Sequence, residues 1–297
     1  MSFDGVVIID KPAGLTSHDA VERVKRSLCA AKVGHTGTLD PFATGVLVMG
    51  INQGTKLIPF LDKTEKAYRG VMVLGATTDT YDGTGKVQET SDIAGVTEAD
   101  IRRAMVGFVG DTLQRPPLYS ALKVDGVRLY KLARSGGPAV RPQPRRVSIR
   151  SLDLIDFSPP RVTFEVTCSP GTYIRSLATD IGDALGVGAY LGELVRTASG
   201  PFTINTAYPL SEFVALGVSG YQAVIGLCDA IVDIREVPIS QEEAGLVAKG
   251  GFISSRRLGE MLPGVTVKLV HNGRLVALAK VLDQSIRANL KPLRVFV

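Results

Sequence analysis

Residues 34–47 read GHTGTLDPFATGVL, a loop of glycine and proline built around a single acid, Asp40. Glycine permits positive φ angles and close approach of another chain, while Pro41 fixes φ and removes a hydrogen-bond donor directly after the acid. The apolar run at residues 46–51 is typical of a buried strand. Asp40 is therefore predicted to lie at the mouth of a rigid element, where functional residues concentrate, although an aspartate that only satisfies turn amides fits the same pattern.

The composition predicts a globular protein. The chain has 297 residues, of which 45% are hydrophobic, and this is enough for one large domain and a small one. It contains no apolar stretch near the roughly 18 residues of a membrane span and no basic N-terminal region of a signal peptide, so we expect a cytoplasmic protein. The three cysteines and three histidines lack ligand spacing, and neither GxxxxGK nor GxGxxG occurs. We therefore expect neither a metal nor a nucleotide cofactor.

Positive charge is concentrated in two segments, although the net charge is only +5. Residues 123–150 hold eight basic residues against one acid, and residues 249–297 hold nine against two. Each segment is thus +7, which leaves −9 for the remainder. This asymmetry favours a nucleic acid held at two places, with a solvated charged face as the alternative. The candidate RNA-binding residues are Lys123, Arg128, Lys131, Arg141, Arg145 and Arg146.

Local signals place several elements. Thr172 is predicted to open a helix that ends at Gly186, which puts Arg175 in the first helical turn. Residues 124–134 are predicted to be helical after a turn at Asp125-Gly126 and before a stretch punctuated by prolines. Asn272-Gly273 lies between two apolar runs and predicts a hairpin with a type I′ turn.

Several segments, taken together and in order, resemble the TruB family, the tRNA pseudouridine-55 synthases. The loop GHTGTLDPFATGVL is similar to the catalytic-aspartate motif of that family. The other similar segments are DKPAGLTS at 10–17, KAYR at 66–69, PLYSALK at 117–123, GTYIRSL at 171–177 and LVRTASGPF at 194–202. Any one of them is a weak signal, whereas the ordered set, which covers roughly residues 5–205, is a strong one.

The resemblance implies an α+β pseudouridine synthase fold, with a mixed, largely antiparallel sheet flanked by helices. The catalytic domain would span residues 1–234, with the basic RNA-binding insertion at about 123–150. Residues 235–297 resemble, more loosely, a small β-rich PUA-like RNA-binding domain. The implied reaction isomerises the T-loop uridine at position 55 of tRNA by glycosidic bond cleavage, base rotation and reattachment through C5, after the base is extruded from its stack.

The resemblance also assigns roles to individual residues. Asp40 is the essential acid, Arg175 its electrostatic partner, and Tyr68 stacks on the target base and helps to remove the C5 proton. The substrate-binding residues it implies are Tyr173 and Leu194 as walls of the uracil site, His35 as the ring that fills the space left by the extruded base, and Lys11 as a buttress of the loop or a substrate contact.

Some alternatives remain open. Asp40 has three possible routes, which are attack at C1′ of the ribose, attack at C6 of the uracil, or abstraction of a sugar proton. We expect a monomer that binds the tRNA T-stem-loop without a required protein partner and without a membrane. The rival functions are a pseudouridine synthase of the guide-dependent type that acts on another RNA, and a non-catalytic RNA-binding or RNA-folding protein.

Overall fold

The structure is a computed structural model, and it describes residues 3–120, 122–124, 127–129, 142–255, 262–282 and 288–296. The candidate RNA-binding residues Lys131 and Arg141 lie outside the described residues. The helix predicted within residues 124–134 is wrong at residues 124, 127 and 128, because Lys123–Val124 pairs antiparallel with Val127–Arg128. The predicted turn residues Asp125 and Gly126 lie outside the described residues. An Asp-Gly pair separates these strands in the sequence, and such a pair favours a two-residue hairpin loop over a helix.

The elements follow one another as a mixture of strands and helices. The α-helices are α1 Ser17–Ser27, α2 Ile58–Leu61, α3 Glu98–Val106, α4 Ile174–Ala184, α5 Leu210–Ala215 and α6 Gln241–Ala248. The strands are β1 Gly5–Lys11, β2 Val33–His35, β3 Thr44–Ile51, β4 Lys66–Leu74, β5 Ala76–Thr78, β6 Val87–Thr90, β7 Gly110–Gln114, β8 Lys123–Val124, β9 Val127–Arg128, β10 Arg145–Ser158, β11 Arg161–Cys168, β12 Ala189–Ser199, β13 Phe202–Thr203, β14 Tyr208–Pro209, β15 Ile225–Gly226, β16 Glu236–Pro238, β17 Ile253–Ser255, β18 Thr266–His271, β19 Arg274–Val281 and β20 Ala288–Val295. Within the described ranges, no helix is both long and apolar enough to cross a membrane.

The larger sheet has eleven strands, with the order β14-β1-β3-β12-β4-β11-β10-β7 along its main path. The pairs β1–β14 and β3–β12 are parallel, whereas the other neighbours on this path are antiparallel. The sheet is therefore mixed and largely antiparallel, as expected. The parallel β3–β12 pair brings the end of the Asp40 loop beside residues 195 and 196.

Helix α1 begins where its sequence provides a capping box. The Thr16 side chain accepts a hydrogen bond from the Asp19 amide, and the Asp19 carboxylate accepts one from the Thr16 amide. The helix then buries Val21 and Val24 against the sheet, with Leu28 at its C-terminal end. This packing holds the start of α1 next to the Asp40 loop.

A second sheet, with the order β16-β18-β19-β20-β17, follows in the chain. Its β18–β19 hairpin turns at Asn272 and Gly273, whose φ angles of 48° and 73° confirm the predicted turn. One apolar cluster joins this sheet to β1 and β3, and its members include Val6, Ile8, Val46, Val48, Val270, Leu275, Leu278 and Phe296.

Strands β1 and β3 are therefore buried on both faces. Alternate residues of β1, such as Val7 and Ile9, pack into the helix-covered core, whereas Val6 and Ile8 pack toward the second sheet. A strand buried on both faces needs a continuous apolar sequence, and this explains the uninterrupted run at residues 46–51. The Asp40 loop is thus anchored to a strand that has little freedom to move.

Candidate active site

The Asp40 loop is fixed by backbone contacts on both sides of the acid. Before it, the Leu39 amide donates to Ser17 Oγ at 2.9 Å, and Ser17 Oγ donates to the Leu39 carbonyl at 3.1 Å. After it, the Pro41 carbonyl accepts from the Gly14 amide at 2.8 Å. The loop is thereby held to the start of α1 and to the turn that precedes it, so the direction of the Asp40 side chain is set by its neighbours.

Gly45 allows β12 to approach the loop. Its φ angle is +99°, and a Cβ atom there would lie 2.3 Å from the carbonyl oxygen of Arg196. No other residue type fits this contact, because a side chain would collide with the backbone. The glycine in the motif therefore serves the parallel pairing of β3 with β12.

Arg175 and Asp40 form an ion pair at the end of the loop. Nε of Arg175 lies 2.8 Å from Oδ2 of Asp40, and Nη2 lies 3.2 Å from Oδ1. The arginine side chain is only 5% exposed, whereas that of Asp40 retains 35%. Arg175 also donates to the Thr80 carbonyl and to the Tyr119 carbonyl, each at 2.8 Å. The guanidinium is thus immobilised while the carboxylate still faces solvent.

Opposing effects act on the Asp40 carboxyl. Burial raises its pKa, and the nearby Asp82 charge raises it further, while the charge and hydrogen bond of Arg175 lower it. The raised pKa is the net result, so the ionised form is held at an energetic disadvantage that Arg175 partly offsets. A carboxylate in this situation is more reactive than one fully solvated.

Asp82 is a site residue that the sequence analysis missed. Its carboxylate is 6% exposed and lies 3.3 Å from Nη1 of Arg175, so one guanidinium lies between two carboxylates. It also accepts from Thr80 Oγ1 at 2.8 Å and from the Thr84 amide at 3.0 Å. The segment 75–85 is rich in glycine and threonine and contains both Asp79 and Asp82. This composition predicts a turn, but it does not reveal which acid turns inward.

Tyr68, Leu194 and Arg196 lie on one face of the sheet. In the antiparallel β12–β4 pair, Arg196 is opposite Tyr68 and Leu194 is opposite Gly70, so the side chains of 68, 194 and 196 project to the same side. Tyr68 is half-buried and Leu194 is 7% exposed. Burial raises the pKa of Tyr68, and the nearby Asp40 charge raises it further. The tyrosine is therefore close to the acid, as a base-stacking residue must be.

Tyr173 is brought to Asp40 from the other direction, as the residue that precedes helix α4. It is half-buried, and burial together with the Asp40 charge raises its pKa, while Ser120, Arg145 and Arg175 lower it. The structure thus gathers Asp40, Tyr68, Tyr173 and Arg175 at one place.

Gln114 holds the backbone of Tyr173 and was also missed by the sequence analysis. Its side-chain amide donates to the Tyr173 carbonyl at 3.0 Å and accepts from the Tyr173 amide at 2.7 Å. The side chain is buried, with 3% of its surface exposed. Because Tyr173 offers no side-chain cap to α4, this glutamine fixes the N-terminus of the helix that carries Arg175.

Lys11 is fully enclosed at the end of β1. Its ammonium donates to the carbonyls of Pro12 and Leu15, each at 2.8 Å, and to that of Pro41 at 3.5 Å. Burial lowers the pKa of Lys11 to about 8, although the Asp40 charge opposes this shift. In this arrangement Lys11 braces the loop directly after Asp40.

His35 lies on β2 and is half-buried. Burial and the Arg196 charge lower its pKa, which favours the neutral ring. Its Nδ1 atom is buried and makes no hydrogen bond to the described residues. A neutral ring with a free polar atom suits stacking beside a base.

Arg196 is the third residue missed by the sequence analysis, although it lies inside the LVRTASGPF segment. It is 1% exposed, donates from Nε to the Val46 carbonyl at 2.6 Å, and donates from Nη2 to the Gly37 carbonyl at 3.1 Å. Its guanidinium thus joins the two ends of the Asp40 loop. A charged residue in the LVRTASGPF segment was the available signal.

Two of the candidate RNA-binding residues are exposed at the start of β10. Arg145 and Arg146 pair with Gln114 and Leu113 of β7, at the edge of the sheet. Arg146 is 80% exposed and has only a 4.0 Å contact with Asp111. The other two described candidates, Lys123 and Arg128, are paired in the backbone register of β8 with β9. Across the described part of the chain, no cluster of His, Cys, Asp or Glu has the composition of a metal site.

Comparison with known proteins agrees with this geometry. The family model "TruB family pseudouridylate synthase (N terminal domain)" matches residues 25–174, and "tRNA pseudouridylate synthase B C-terminal domain" matches residues 175–221. The chain is 43% identical to tRNA pseudouridine synthase B of Geobacter sulfurreducens, over 99% of this chain and 100% of that protein. It is 47% identical to the protein of the same name from Thiobacillus denitrificans, over 84% and 83% of the two chains.

Solved structures show the same fold. A Cbf5-Nop10-Gar1 complex contains a chain that matches with a TM-score of 0.78 and 28% identity, over 100% of this chain and 85% of that chain. A box H/ACA ribonucleoprotein bound to a substrate RNA matches with a TM-score of 0.76 and 26% identity, over 99% and 85%. These similarities confirm the expected pseudouridine synthase fold with a β-rich C-terminal part. The chain therefore belongs to the TruB family of pseudouridylate synthases.

Proposed function

We propose that this chain is an enzyme that isomerises the T-loop uridine at position 55 of tRNA to pseudouridine. The observation that carries the proposal is the Asp40–Arg175 ion pair, in which the arginine is enclosed and the carboxylate keeps 35% exposure at the mouth of the cleft. The relatives named tRNA pseudouridine synthase B support tRNA as the substrate.

In the proposed reaction, Asp40 acts on the extruded nucleoside. Arg175 stabilises the ionised form of the Asp40 carboxyl. The glycosidic bond from C1′ to N1 breaks, the uracil turns within its pocket, and C5 bonds to C1′. The walls are Tyr68, Tyr173 and Leu194, which retain the free base by stacking and by excluding water. The arrangement is compatible with attack at C1′, attack at C6 or abstraction of a sugar proton, and no metal or nucleotide cofactor takes part.

RNA binding is proposed to involve two parts of the chain. The catalytic domain would comprise residues 1–234, and residues 235–297 would form a PUA-like domain that grips the RNA a second time. Extrusion of the base costs on the order of a few kcal/mol, which contacts to phosphates and stacking must offset. The exposed Arg145 and Arg146 are suited to phosphate contacts, and Lys123, Arg128, Lys131 and Arg141 are proposed to extend the same basic segment.

We further propose that the enzyme acts as a monomer in the cytoplasm, on the tRNA T-stem-loop and without a protein partner. The chain matched in the Cbf5-Nop10-Gar1 complex is found together with other proteins. A related activity that depends on such partners and on another RNA is the second candidate. It would require components other than this chain and its substrate.

The test uses the purified protein alone with an unmodified tRNA transcript, and pseudouridine is mapped by primer extension after carbodiimide treatment. We expect modification at position 55, and none when that uridine is replaced by cytidine. Asp40→Asn should form no product while tRNA affinity stays within a few fold of the wild type. Turnover by Asp40→Asn would refute the role of this acid, and a wild-type protein that modifies tRNA only with added partners would favour the second candidate.

A further inference from the structure

Arg196 is a deeply buried cation that has no carboxylate partner among the described residues. Only 1% of its surface is exposed, and no carboxylate oxygen of the described residues lies within 4.0 Å of its guanidinium nitrogens. It donates hydrogen bonds to two neutral carbonyls, those of Val46 and Gly37. Buried charges are costly and are normally paired, so an enclosed guanidinium without an anion requires an explanation.

The group that it faces is the phenol of Tyr68. Arg196 on β12 and Tyr68 on β4 are directly opposite in the antiparallel register, and side chains in such positions lie on the same face about 5 Å apart at Cβ. Leu194, a wall of the proposed uracil site, projects on this face two residues away.

The groups around the phenol shift the pKa of Tyr68 in opposite directions. Arg196 approaches from β12, Cys168 from β11 and Asp40 from its loop. Burial raises the pKa of Tyr68, the Asp40 and Cys168 groups raise it further, and Arg196 lowers it through its charge and a hydrogen bond. Among these neighbours, Arg196 is the group that favours the ionised phenol.

We propose that Arg196 is a positioning residue for the last chemical step, where it stabilises Tyr68 as the phenolate that accepts the C5 proton. This inference rests on the proposed function. Arg196 itself does not touch the substrate, and it acts through Tyr68.

Once the base has rejoined the ribose through C5, this carbon carries both the new bond and its original hydrogen. The C5–H bond breaks, its proton passes to the Tyr68 oxygen, and the electron pair forms the C5–C6 double bond. The electrons of the N1–C6 double bond move to N1, which takes a proton from water. Tyr68 then returns its proton to solvent, so uridine and pseudouridine have the same composition.

A purely structural role must be separated from this one, because Arg196 also joins the two ends of the Asp40 loop. Loss of that brace would misplace Asp40 and slow the early glycosidic cleavage. Loss of phenolate stabilisation would slow only the removal of the C5 proton. Deuterium at C5 of the target uridine distinguishes these cases, because it affects the rate only where breaking the C5–H bond limits product formation.

The experiment compares single-turnover rates on tRNA carrying hydrogen or deuterium at C5 of uridine 55, for the wild type, Arg196→Lys and Arg196→Gln. We expect Arg196→Gln to slow product formation by about 10²-fold and to show a larger isotope effect than the wild type. Its rate should also rise from about pH 7 to about pH 9, because hydroxide must then generate the phenolate. Arg196→Lys retains the charge, so its rate and its isotope effect should lie between those of the wild type and Arg196→Gln.

Lys66→Gln is the matched control. Lys66 is a buried cation on the same strand as Tyr68, but its ammonium ends on the carbonyls of Asp62 and Thr64. This variant should lose stability without a change in the isotope effect. If Arg196→Gln does not fold, as judged by circular dichroism, Arg196→Lys carries the comparison.

Two results would overturn the inference. If the Arg196 variants are slow but keep the wild-type isotope effect, the residue serves only the Asp40 loop. If the wild type itself forms no pseudouridine, the proposed function is wrong and this inference fails with it. An isotope effect that is larger than the wild-type value in the Arg196 variants, and unchanged in Lys66→Gln, supports the inference.

Discussion

Arg175 has to balance two carboxylates with a single guanidinium. It lies 2.8 Å from Asp40 on one side and 3.3 Å from Asp82 on the other, and its remaining donors end on backbone carbonyls. Because arginine has a planar fork of donors in fixed directions, each partner restricts the orientation seen by the others. Asp82 thus controls how Arg175 meets Asp40, although it is held away from the cleft opening.

This geometry gives a prediction for Asp82→Asn. The amide keeps the shape of the carboxylate but removes its charge, so Arg175 should turn from its position at Asp40. A displacement of about 1 Å in such a site can cost about 10²-fold in rate, and we expect a loss of this size in single-turnover pseudouridine formation. Binding of tRNA, measured by filter retention, should change little.

Asp79→Asn is the control, because Asp79 accepts from the Lys86 amide in the same loop and, within the part of the chain that the structure describes, forms no ion pair with Arg175. A wild-type rate for Asp82→Asn would contradict the prediction. So would an equal loss in both variants.

Lys11 gives a prediction about pH. Its pKa is lowered from 10.5 to about 8 in the folded protein, while the unfolded chain keeps its proton up to the ordinary value. Above pH 8 the unfolded state therefore binds more protons, and stability rises with pH. Relative to Lys11→Met, the free energy of unfolding of the wild type should increase by at most about 1.4 kcal/mol per pH unit across this window.

Urea denaturation at a series of pH values measures this difference. Lys32→Met, which removes an exposed lysine, should follow the wild type at every pH. Parallel stability curves for wild type and Lys11→Met would show that the ammonium is not held at a lowered pKa.

At the scale of elements, helix α4 begins under unfavourable conditions. It has no acidic residue in its first turn and no side-chain cap at Tyr173, and it carries a cation, Arg175, near its positive end. The end of β7 and the residue after it compensate, since Gln114 binds the Tyr173 backbone and the Arg115 carbonyl accepts from Ser176 Oγ at 2.8 Å. The position of Arg175 therefore depends on a neighbouring element as much as on its own helix.

Gln114→Ala should consequently affect both stability and catalysis. It removes the acceptor of the Tyr173 amide and one of the two donors to the Tyr173 carbonyl, which keeps its bond from the Leu177 amide. An unsatisfied buried group such as this amide costs about 1–3 kcal/mol. We expect a lower free energy of unfolding, together with a single-turnover rate that falls more than tRNA affinity. Thermal denaturation and rapid-quench kinetics measure the two effects.

Gln114→Glu tests the direction of the hydrogen bonds, because it keeps an acceptor for the Tyr173 amide but presents a second acceptor to the Tyr173 carbonyl. Gln88→Ala, at an exposed glutamine of β6, is the control and should be neutral. If Gln114→Ala loses stability while the rate is unchanged, the clamp serves folding alone.

At the scale of the whole molecule, β1 and β3 lie between the helix-covered core and the C-terminal sheet. Lys56 adds a polar link, since its ammonium donates to the Val295 carbonyl at 2.7 Å and lies 5.9 Å from the centre of the Phe296 ring. The acidic remainder and the two basic segments belong to this one molecule. An RNA is therefore attracted toward particular surfaces rather than to the molecule as a whole.

Charge removal at Arg145 and Arg146 tests this distribution. Each arginine that neutralises a phosphate adds about one unit to the magnitude of the slope of log K against log salt. The double variant Arg145→Gln with Arg146→Gln should therefore weaken tRNA binding and reduce the magnitude of this slope by about 2. Affinity is measured at several salt concentrations. The control Arg102→Gln removes one positive charge from an exposed pair with Glu98 and should keep the wild-type slope. An unchanged slope in the double variant would place both arginines outside the interface.

Local structure was predictable where neighbouring residues decide it. The Asn272-Gly273 turn formed as expected, because the φ angles it requires are intrinsic to these residue types. The local structure at the start of the basic segment was not predictable, because its apolar and basic residues fit a short hairpin as well as a helix. The proximity of Asp40 and Arg175, 135 residues apart, was expected only from a resemblance, since no local rule brings them together.

Runs of consecutive residues identify the family, the acid within the loop and the apolar strand that anchors it, so these features could be inferred without the fold. The assignment of Asp82, Gln114 and Arg196 to the same site required the folded chain. Their contacts depend on which strands pair and in what register, and a one-residue slip would turn every side chain to the opposite face. Burial strengthens the hold of these three residues on their partners, because water cannot replace the hydrogen bonds of a buried polar group.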